Sequence, residues 1–455
     1  MRNPQSFPKT HQTFITEVEV EQLFNLYSYR LAVDEKAAVD LSRLIILYGD
    51  NGSGKTTLLS MIFHLLSPAQ GQNHRTFLAS TAFQRFAVRL GTDLYIEIQR
   101  EAGQLLGAFR ATIRRGAHRI FDRFISVKEK NSRVVVDRDD QDAIDFSGAL
   151  ESLGITLYYL SDDRTTETSV SSAEEDTQLV LFDDDEPEMI VRAGRVIKRQ
   201  KSAHREPNLE IAIFKLERWL RSEALKGSSQ GEANTNTIYA DIVKRIARAR
   251  RVGPKSKSGA ADSRKSVGDV VQDLRELEER SKAYSEYALI TPVHLGGLID
   301  TFDTSSSDTK RIIADVLIPY VDGLKARLDA LKSIQKLIRL FIDSINSFFH
   351  NKYISFDLSG GLQITARNGD RLKPGMLSSG ERQILLLFCN TITARDQASI
   401  FIIDEPELSL NIKWQRKLLQ VLLQCTRDSA VQFVIATHSI ELITRHKQHV
   451  LRLIG

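Results

Sequence analysis

The chain has 455 residues, of which 42% are hydrophobic and 26% are charged. This composition is typical of a globular protein of two or three domains, and it excludes a collagen-like, wholly disordered or disulfide-stapled chain. Lysine and arginine (62) exceed aspartate and glutamate (58) by only +4, which does not by itself indicate a polyanionic partner. The two cysteines, Cys389 and Cys425, lie singly in apolar stretches, which favours buried thiols over a zinc site. Neither a secretory signal nor an apolar run of the roughly 18–20 residues that span a membrane is present, so we expect a cytoplasmic protein.

Residues 1–160 are predicted to form the N-terminal part of an α/β domain. Apolar and polar residues alternate over 14–20, which is typical of a strand, and Leu44–Tyr48 is a continuous apolar run typical of a strand buried on both faces. A glycine-rich turn and a helical pattern over Lys55–Leu66 follow. Further strands are predicted at 94–99, 107–113 and 156–160.

Residues 161–350 are predicted to be a charged, mainly helical and partly coiled-coil-like insertion. Eleven acidic side chains and one basic one, Arg164, lie between 162 and 188, whereas nine lysines and arginines lie between 244 and 265. Glycine, serine and lysine predict flexible loops at 227–236 and 254–266. Val270, Leu274 and Leu277 share one helical face. Apolar residues from Leu324 to Ile345 predict a single helix of roughly 45 Å after Pro319, in either a short antiparallel arm or a helical lobe.

Residues 351–455 are predicted to complete the α/β domain. Two strands are expected at 353–357 and 362–367, around a Gly-Gly turn. Buried strands at 400–403 and 433–436 then alternate with helices, as in an α/β core.

A phosphate-binding loop lies between the strand at 44–48 and the helix at 55–66. Residues 49–56 read Gly-Asp-Asn-Gly-Ser-Gly-Lys-Thr, a complete G-x-x-x-x-G-K-[ST] pattern in the strand–turn–helix context that this motif requires. The glycines let the backbone curl with its N–H groups towards phosphate, Lys55 can reach the outer phosphates, and the Thr56 hydroxyl can ligate Mg²⁺. The predicted nucleotide-binding residues are Asn51, Gly52, Ser53, Gly54, Lys55, Thr56 and Thr57.

A pair of carboxylates follows the strand at 400–403. Asp404 and Glu405 should lie at the carboxyl edge of the sheet, where ligands bind in open α/β folds. Adjacent carboxylates near phosphate are costly unless a cation is present, so the pair indicates Mg²⁺ held by Thr56 and Asp404. Glu405 would then orient and polarise the attacking water.

Two further segments carry polar residues at positions suited to phosphate. Ser378 and Gly380 precede an apolar helix at 384–392, whose N-terminus offers N–H groups and a positive dipole end to an anion. Alone, such a serine is simply a helix cap. His438 follows the strand at 433–436, and from there it can face the γ-phosphate.

In this order, the P-loop, Leu-Ser-x-Gly-Glu, Ile-Ile-Asp-Glu-Pro and Thr-His-Ser motifs resemble those of the ABC-type ATPases. The resemblance covers roughly residues 14–115 and 350–455. It implies that Ser378 and Gly380 contact the γ-phosphate of ATP held by a second subunit, that His438 senses this phosphate, and that ATP joins two copies. Transporter members of this family usually have glycine at the position of Ser379. In having another residue there, this sequence resembles the SMC-like, RecF-like and OLD-like branch.

Within that branch, the Glu-Pro-Glu-Leu-Ser-Leu run and the segment at 18–29 resemble ATPase subunits of bacterial antiphage systems such as PARIS and Septu. The resemblance implies an ATP-hydrolysing switch that senses a phage trigger and controls a separate effector, expected to be a nuclease. Arg164 would lie near the nucleotide in this branch, although it could equally pair with acidic neighbours. The alternative is a RecF-like repair ATPase that acts directly on DNA, with the basic run at 244–265 tracking phosphates. A transporter ATPase is disfavoured because Lys55 and Ser378 are separated by 323 residues.

Overall fold

The computed structural model describes the protein over residues 14–33, 43–69, 73–130, 133–137, 139–161, 166–168, 191–192, 195–196, 209–229, 267–396, 399–408, 410–427 and 429–453. The chain divides into two compact units, the first of residues 1–208 and 391–455 and the second of residues 209–390. The second unit thus includes 351–390, which the sequence assigns to the C-terminal part of the α/β domain. The three predicted segments remain predictions.

The first sheet of unit 1 is an antiparallel meander whose strands come from two stretches of chain, 15–32 and 85–125. Its order is β2-β1-β4-β5-β6-β7. Strands β4, β5, β6 and β7 are joined by successive hairpins, as the sequence predicts for 94–99 and 107–113. The strands are β1 (Ile15–Leu23), β2 (Tyr27–Ala32), β4 (Arg85–Leu90), β5 (Leu94–Gln99), β6 (Phe109–Arg115) and β7 (His118–Ile125), and a separate small hairpin comprises β8 (Lys128–Lys130) and β9 (Arg133–Val135).

The second sheet of unit 1 is mainly parallel and brings together strands from distant parts of the chain. Its order is β11-β10-β17-β18-β3-β19, and only β11 runs antiparallel to its neighbour. All residues of β17 and β18 are buried, as expected for a sheet covered on both faces. The strands are β3 (Leu44–Tyr48), β10 (Thr156–Leu160), β11 (Thr166–Thr168), β17 (Ser399–Asp404), β18 (Val431–Thr437) and β19 (Val450–Arg452).

Helices α1, α2 and α3 of unit 1 pack with both sheets around one apolar core. The core joins side chains of α1, such as Phe63, to Ile98 of the first sheet and Val434 of the second. A buried glutamine also ties the sheets together, because Gln432 on β18 accepts a hydrogen bond from the Ile15 backbone N–H (2.8 Å) and donates one to the Ile15 carbonyl (2.9 Å). The helices are α1 (Lys55–Leu66), α2 (His74–Ser80), α3 (Gln141–Glu151), α10 (Ile412–Cys425) and α11 (Ile440–Arg445).

Unit 2 is mainly helical and carries one small antiparallel sheet. Residues 209–229 form helix α4, and the amphipathic helix α8 buries its apolar face beside β14. The other elements are α5 (Val267–Ser285), α6 (Gly296–Thr304), α7 (Ser307–Ala330), α8 (Lys332–Phe348), β14 (Lys352–Asp357), β15 (Gly361–Ala366), β16 (Arg371–Leu372) and α9 (Ser379–Thr393). The antiparallel strand pair β12 (Val191–Arg192) and β13 (Arg195–Val196) belongs to unit 1.

Two predictions for the middle of the chain are wrong. The helix expected to start after Pro319 is two helices, because α7 already begins at Ser307, contains Pro319, and ends at Ala330 before α8 starts. The loop expected at 227–236 is wrong over 227–229, which are helical, and 230–236 lie outside the described residues. A β-carbon on Gly227 would lie 2.9 Å from Leu331 Cδ2 and 3.1 Å from the Ala330 carbonyl oxygen, so this glycine permits a close helix approach instead of a turn.

The acidic run at 162–188, the basic run at 244–265, the loop at 254–266 and Arg164 lie outside the described residues, apart from the short β11. The α/β fold and the strand–turn–helix context of the P-loop are confirmed. The shared face of Val270, Leu274 and Leu277 is also confirmed, because all three are buried on α5.

Candidate nucleotide-binding site

Three loops meet at the carboxyl edge of the parallel sheet of unit 1. The P-loop follows β3, residues 404–407 follow β17, and residues 437–439 follow β18, which pairs with both of the other strands. The register places Asp404 beside Ala436 and Thr437 beside Tyr48. The fold therefore brings the three predicted groups of unit 1 residues to one edge, which is where open α/β sheets bind ligands.

The P-loop is held in a curled conformation by its glycines and by a tyrosine from β2. Gly52 and Gly54 have φ values of +85° and +83°, which side chains with a β-carbon rarely adopt. The Tyr29 hydroxyl donates to the Ser53 carbonyl at 3.0 Å. Gly54 also lies close to the β1–β2 turn, because an added β-carbon would be 3.0 Å from Leu23 Cδ2.

Lys55 lies at the start of α1 with its ammonium directed back into the loop. Its side chain is buried, and Nζ donates to the carbonyl oxygens of Gly49 (2.8 Å) and Asp50 (2.9 Å). These contacts hold the charge above the curled backbone. Asn51, Thr56 and Gly52 are exposed beside it, so the loop presents polar groups to solvent as a phosphate site must.

Asp404 and Glu405 differ sharply in their surroundings although they are neighbours. Asp404 ends β17 and is 1% exposed. Glu405 adopts a left-handed backbone conformation with φ of +46°, and its N–H donates to the Ala436 carbonyl at 2.9 Å. A glutamate in this region is strained by about 1–3 kcal/mol, and such strain is concentrated at functional sites. The turn directs the Glu405 carboxylate towards the loop after β18.

His438 meets that carboxylate. Its Nδ1 lies 3.2 Å from Glu405 Oε1 and 3.6 Å from Glu407 Oε1, and about half of its side chain (51%) is exposed. The structure thus brings Glu405 and His438 into contact, although their sequence positions are 33 apart. No role for Glu407 follows from the sequence alone, in which the Glu-Pro-Glu run is its only signal.

In unit 2, Ser378 lies at the N-terminus of α9 and forms a capping box with Glu381. The Ser378 N–H (2.7 Å) and hydroxyl (2.8 Å) both donate to Glu381 Oε2, and Lys352 on β14 donates to the same oxygen at 2.7 Å. Burial opposes ionisation of Glu381, but the hydrogen bonds from Lys352 and Ser378 prevail and lower its pKa. Ser378 remains exposed, whereas Gly380 is buried. Glu381 is the last residue of the Leu-Ser-x-Gly-Glu motif, but its bond to Ser378 does not follow from the sequence, and no sequence signal points to Lys352.

The donors near the P-loop fit a magnesium ion. Asp404 and Thr56 offer carboxylate and hydroxyl oxygens, which are hard ligands of the kind that Mg²⁺ prefers. Within the part of the chain that the structure describes, no group of three His, Cys, Asp or Glu side chains could hold a metal ion.

Two protein-family models match the chain. Residues 36–175 match the model described as "ABC transporter", and residues 254–444 match the model described as "AAA domain, putative AbiEii toxin, Type IV TA system". The first match contains the P-loop, and the second contains Ser378, Asp404, Glu405 and His438. No curated protein matches the sequence. Over the described residues, no helix is long and apolar enough to cross a membrane.

Two solved structures are similar over most of their length. The Smc head domain with an extended coiled coil bound to the C-terminal domain of ScpA, from Pyrococcus furiosus, is 12% identical with a TM-score of 0.35. The SmcHead bound to the C-winged helix domain of ScpA is 11% identical with a TM-score of 0.32. In both cases the match covers 95% of this chain and 91% of the other. A likeness at this level supports no conclusion about function.

Proposed function

We propose that this ABC-type ATPase is a switch that closes around ATP as a pair of identical subunits. The observation that carries the proposal is the exposure of both halves of the expected site. Asn51 and Thr56 are exposed on the P-loop, and Ser378 is exposed at the N-terminus of α9. ATP on the P-loop of one copy would be completed by Ser378 and Gly380 of a second copy, so that hydrolysis releases the pair.

Each residue of the site has a role that its chemistry supports. Lys55 neutralises the outer phosphates, and Thr56 and Asp404 hold Mg²⁺, which when bound supplies positive charge to the phosphates. Glu405 orients the attacking water, and His438, in contact with Glu405, senses the γ-phosphate. Asn51, Gly52, Ser53, Gly54 and Thr57 form the rest of the cradle.

We further propose that the switch serves bacterial antiphage defence within the SMC, RecF and OLD-like branch. The description of the matching family model names a putative toxin of a type IV TA system, which fits a protein whose ATP state controls harm to its own cell. The switch would respond to a phage protein and control a separate effector, for which we propose a nuclease.

A RecF-like ATPase acting on DNA is the second candidate, and one described surface favours it. The β6–β7 hairpin carries exposed arginines, and Asp122 is the single acidic residue between 109 and 125. Such a surface can contact a phosphate backbone, and its affinity for DNA would fall steeply with salt. The exposed arginines are Arg110, Arg114, Arg115, Arg119 and Arg123.

The test is a pull-down of tagged Glu405→Gln protein from its native cells with ATP, with and without nuclease treatment, read by mass spectrometry. The variant should bind ATP and form an ATP-dependent dimer that light scattering detects. Because a side-chain amide cannot polarise water as a carboxylate does, its rate of ATP turnover should fall by on the order of 100-fold or more. Lys55→Ala is the matched control and should remain monomeric.

Recovery of a second protein in fixed stoichiometry from the Glu405→Gln sample, and not from Lys55→Ala, would support the defence switch. Recovery of this chain alone, with DNA retained only when nuclease is omitted, would support the repair ATPase. A Glu405→Gln protein that stays monomeric in ATP would contradict the paired site itself.

A further inference from the structure

Glu407 follows the two carboxylates already assigned, and its side chain turns back towards the loop after β18. We propose that Glu407 is a positioning residue that holds the 437–439 turn and thereby orients His438 for the reaction. The inference rests on the role proposed above for His438. It assigns Glu407 a task distinct from those of Asp404 and Glu405, namely binding the protein's own backbone.

A single oxygen of Glu407 makes all the contacts with the turn. Oε1 accepts hydrogen bonds from the Thr437 hydroxyl (2.5 Å), the His438 N–H (3.0 Å) and the Ser439 N–H (3.1 Å). The side chain is buried. Successive N–H groups converging on one anionic oxygen form a concave binding site, and charge-assisted hydrogen bonds of this kind are about twice as strong as neutral ones.

The second carboxylate oxygen has a different environment. Glu407 Oε2 is buried, and within the described residues it has no hydrogen-bond partner. The carboxylate therefore acts on the turn through one oxygen, and a side-chain amide oxygen could take its place.

The position of the His438 ring decides which of its two nitrogens can face a nucleotide. Nδ1 lies near two carboxylate oxygens, Glu405 Oε1 at 3.2 Å and Glu407 Oε1 at 3.6 Å. An ionised carboxylate only accepts hydrogen bonds, so Nδ1 must be the donor. This leaves Nε2 as the nitrogen available to a nucleotide. Loss of Glu407 would remove the acceptor of the Thr437 hydroxyl and of the His438 N–H, whereas the Ser439 N–H would keep Thr437 Oγ1 at 2.9 Å. The ring would then be free to rotate away from Glu405.

The turn has a second, independent attachment that should keep it folded without Glu407. The hydroxyl of Ser439 lies 2.8 Å from Gln415 Oε1 on α10, and it caps α11 by accepting from the Leu442 N–H. Glu407 substitutions should therefore change the orientation of His438 more than the fold of the unit.

The test is a double-mutant cycle on ATP hydrolysis with Glu407→Ala, His438→Ala and the combined variant. We expect Glu407→Ala to lower kcat by on the order of 10- to 100-fold with KM for ATP changed less than about threefold, since a misplaced group acts on the reaction step. The combined variant should be no slower than His438→Ala, because Glu407 acts through His438. Glu407→Gln, which keeps an acceptor oxygen, should recover most of the activity.

Glu441→Gln is the matched control. The Glu441 carboxylate lies near the 437–439 turn but is paired with Arg416 instead of with the turn. The kcat of Glu441→Gln should therefore equal that of the unmodified protein. If Glu407→Ala does not fold, Glu407→Asp enters the same cycle and should give a smaller loss of kcat.

Losses that multiply in the combined variant would overturn the inference, as would a Glu407→Ala protein with raised KM and unchanged kcat. Normal turnover by His438→Ala would refute the role of His438 and with it the inference. If His438→Ala is slow and the losses multiply, only the role of Glu407 fails.

Discussion

The half-buried His64 on the P-loop helix and the buried His74 beside it predict a strong dependence of stability on pH. The Nδ1 atoms of His64, near the end of α1, and His74, at the start of α2, are hydrogen-bonded at 2.7 Å. The Nε2 atom of His74 lies 3.0 Å from the Ser67 hydroxyl. One Nδ1 must donate and the other accept, so the pair requires a neutral acceptor ring. Burial is the main cause that lowers the pKa of His64 to about 3 and that of His74 to about 4, and the nearby Arg75 guanidinium adds to both effects.

The sign and size of the effect follow from these pKa values. Above about pH 6.5 both histidines are neutral whether the chain is folded or unfolded, so their contribution to stability is fully present. As pH falls below this value, the unfolded chain binds protons that the folded protein does not, and stability is lost until the pH reaches the folded pKa values. At pH 5 the loss is about 2 kcal/mol for each histidine, or about 4 kcal/mol for the pair.

Hydrogen exchange of the α1 amides at pH 8 and pH 5, corrected for the intrinsic exchange rate, measures this loss as a change in opening free energy. In the variant with both His64→Gln and His74→Gln, the difference in opening free energy between pH 8 and pH 5 should be smaller by about 4 kcal/mol than in the unmodified protein. Phe77→Leu is the control, because it removes the ring stacked on His64 at 4.0 Å without removing a titrating group. Because it also exposes more of His64, its opening free energy should fall at both pH values by amounts that differ by much less than about 4 kcal/mol. If the opening free energy of the double variant changes between pH 8 and pH 5 as much as that of the unmodified protein, the two histidines are not the cause of the pH dependence.

Two further predictions concern the P-loop and the contact between the sheets. Gly54→Ala should weaken ATP binding by more than tenfold, because strain of about 1–2 kcal/mol at a φ of +83° is added to the close contact with Leu23. Gly103 also has a φ of +83°, but nothing lies within 4 Å of a β-carbon added there, so Gly103→Ala should bind ATP normally. Equal losses of ATP affinity in the two variants, measured by titration calorimetry, would contradict this prediction. Gln432→Leu should destabilise β1 by about 2–4 kcal/mol, since it leaves the buried N–H and carbonyl of Ile15 unpaired. Unchanged exchange of the Ile15 amide would disprove it.

The sequence predicts the nucleotide-binding part of the fold well because its signals are local. The apolar run before the P-loop and the helix from Lys55 to Leu66 have the predicted bounds. Glycine spacing and burial on both faces determine these elements with little help from the rest of the chain.

The errors arise where tertiary contacts decide the outcome. Pro319 was expected to precede a helix, yet it lies within α7, and the actual break follows Ala330. Gly227 suggested a loop, but its close approach to Ala330 and Leu331 explains why a glycine is present in a helix. Glu407 was missed because its partners lie 30 to 32 positions away, and only the completed sheet brings them together.

The pairing of β3 with β18 has a consequence for synthesis of the chain. Leu44 pairs with Phe433, so 389 residues must be translated after Leu44 before this pair can form. At a translation rate of about 5–20 residues per second, roughly 20–80 s pass between the synthesis of β3 and that of its partner strand β18. The antiparallel meander needs only residues up to about 125 and can fold first. During that interval the apolar residues of β3 lack the partner strand that covers them in the folded protein, and exposed apolar strands of this kind make a newly made chain prone to aggregation.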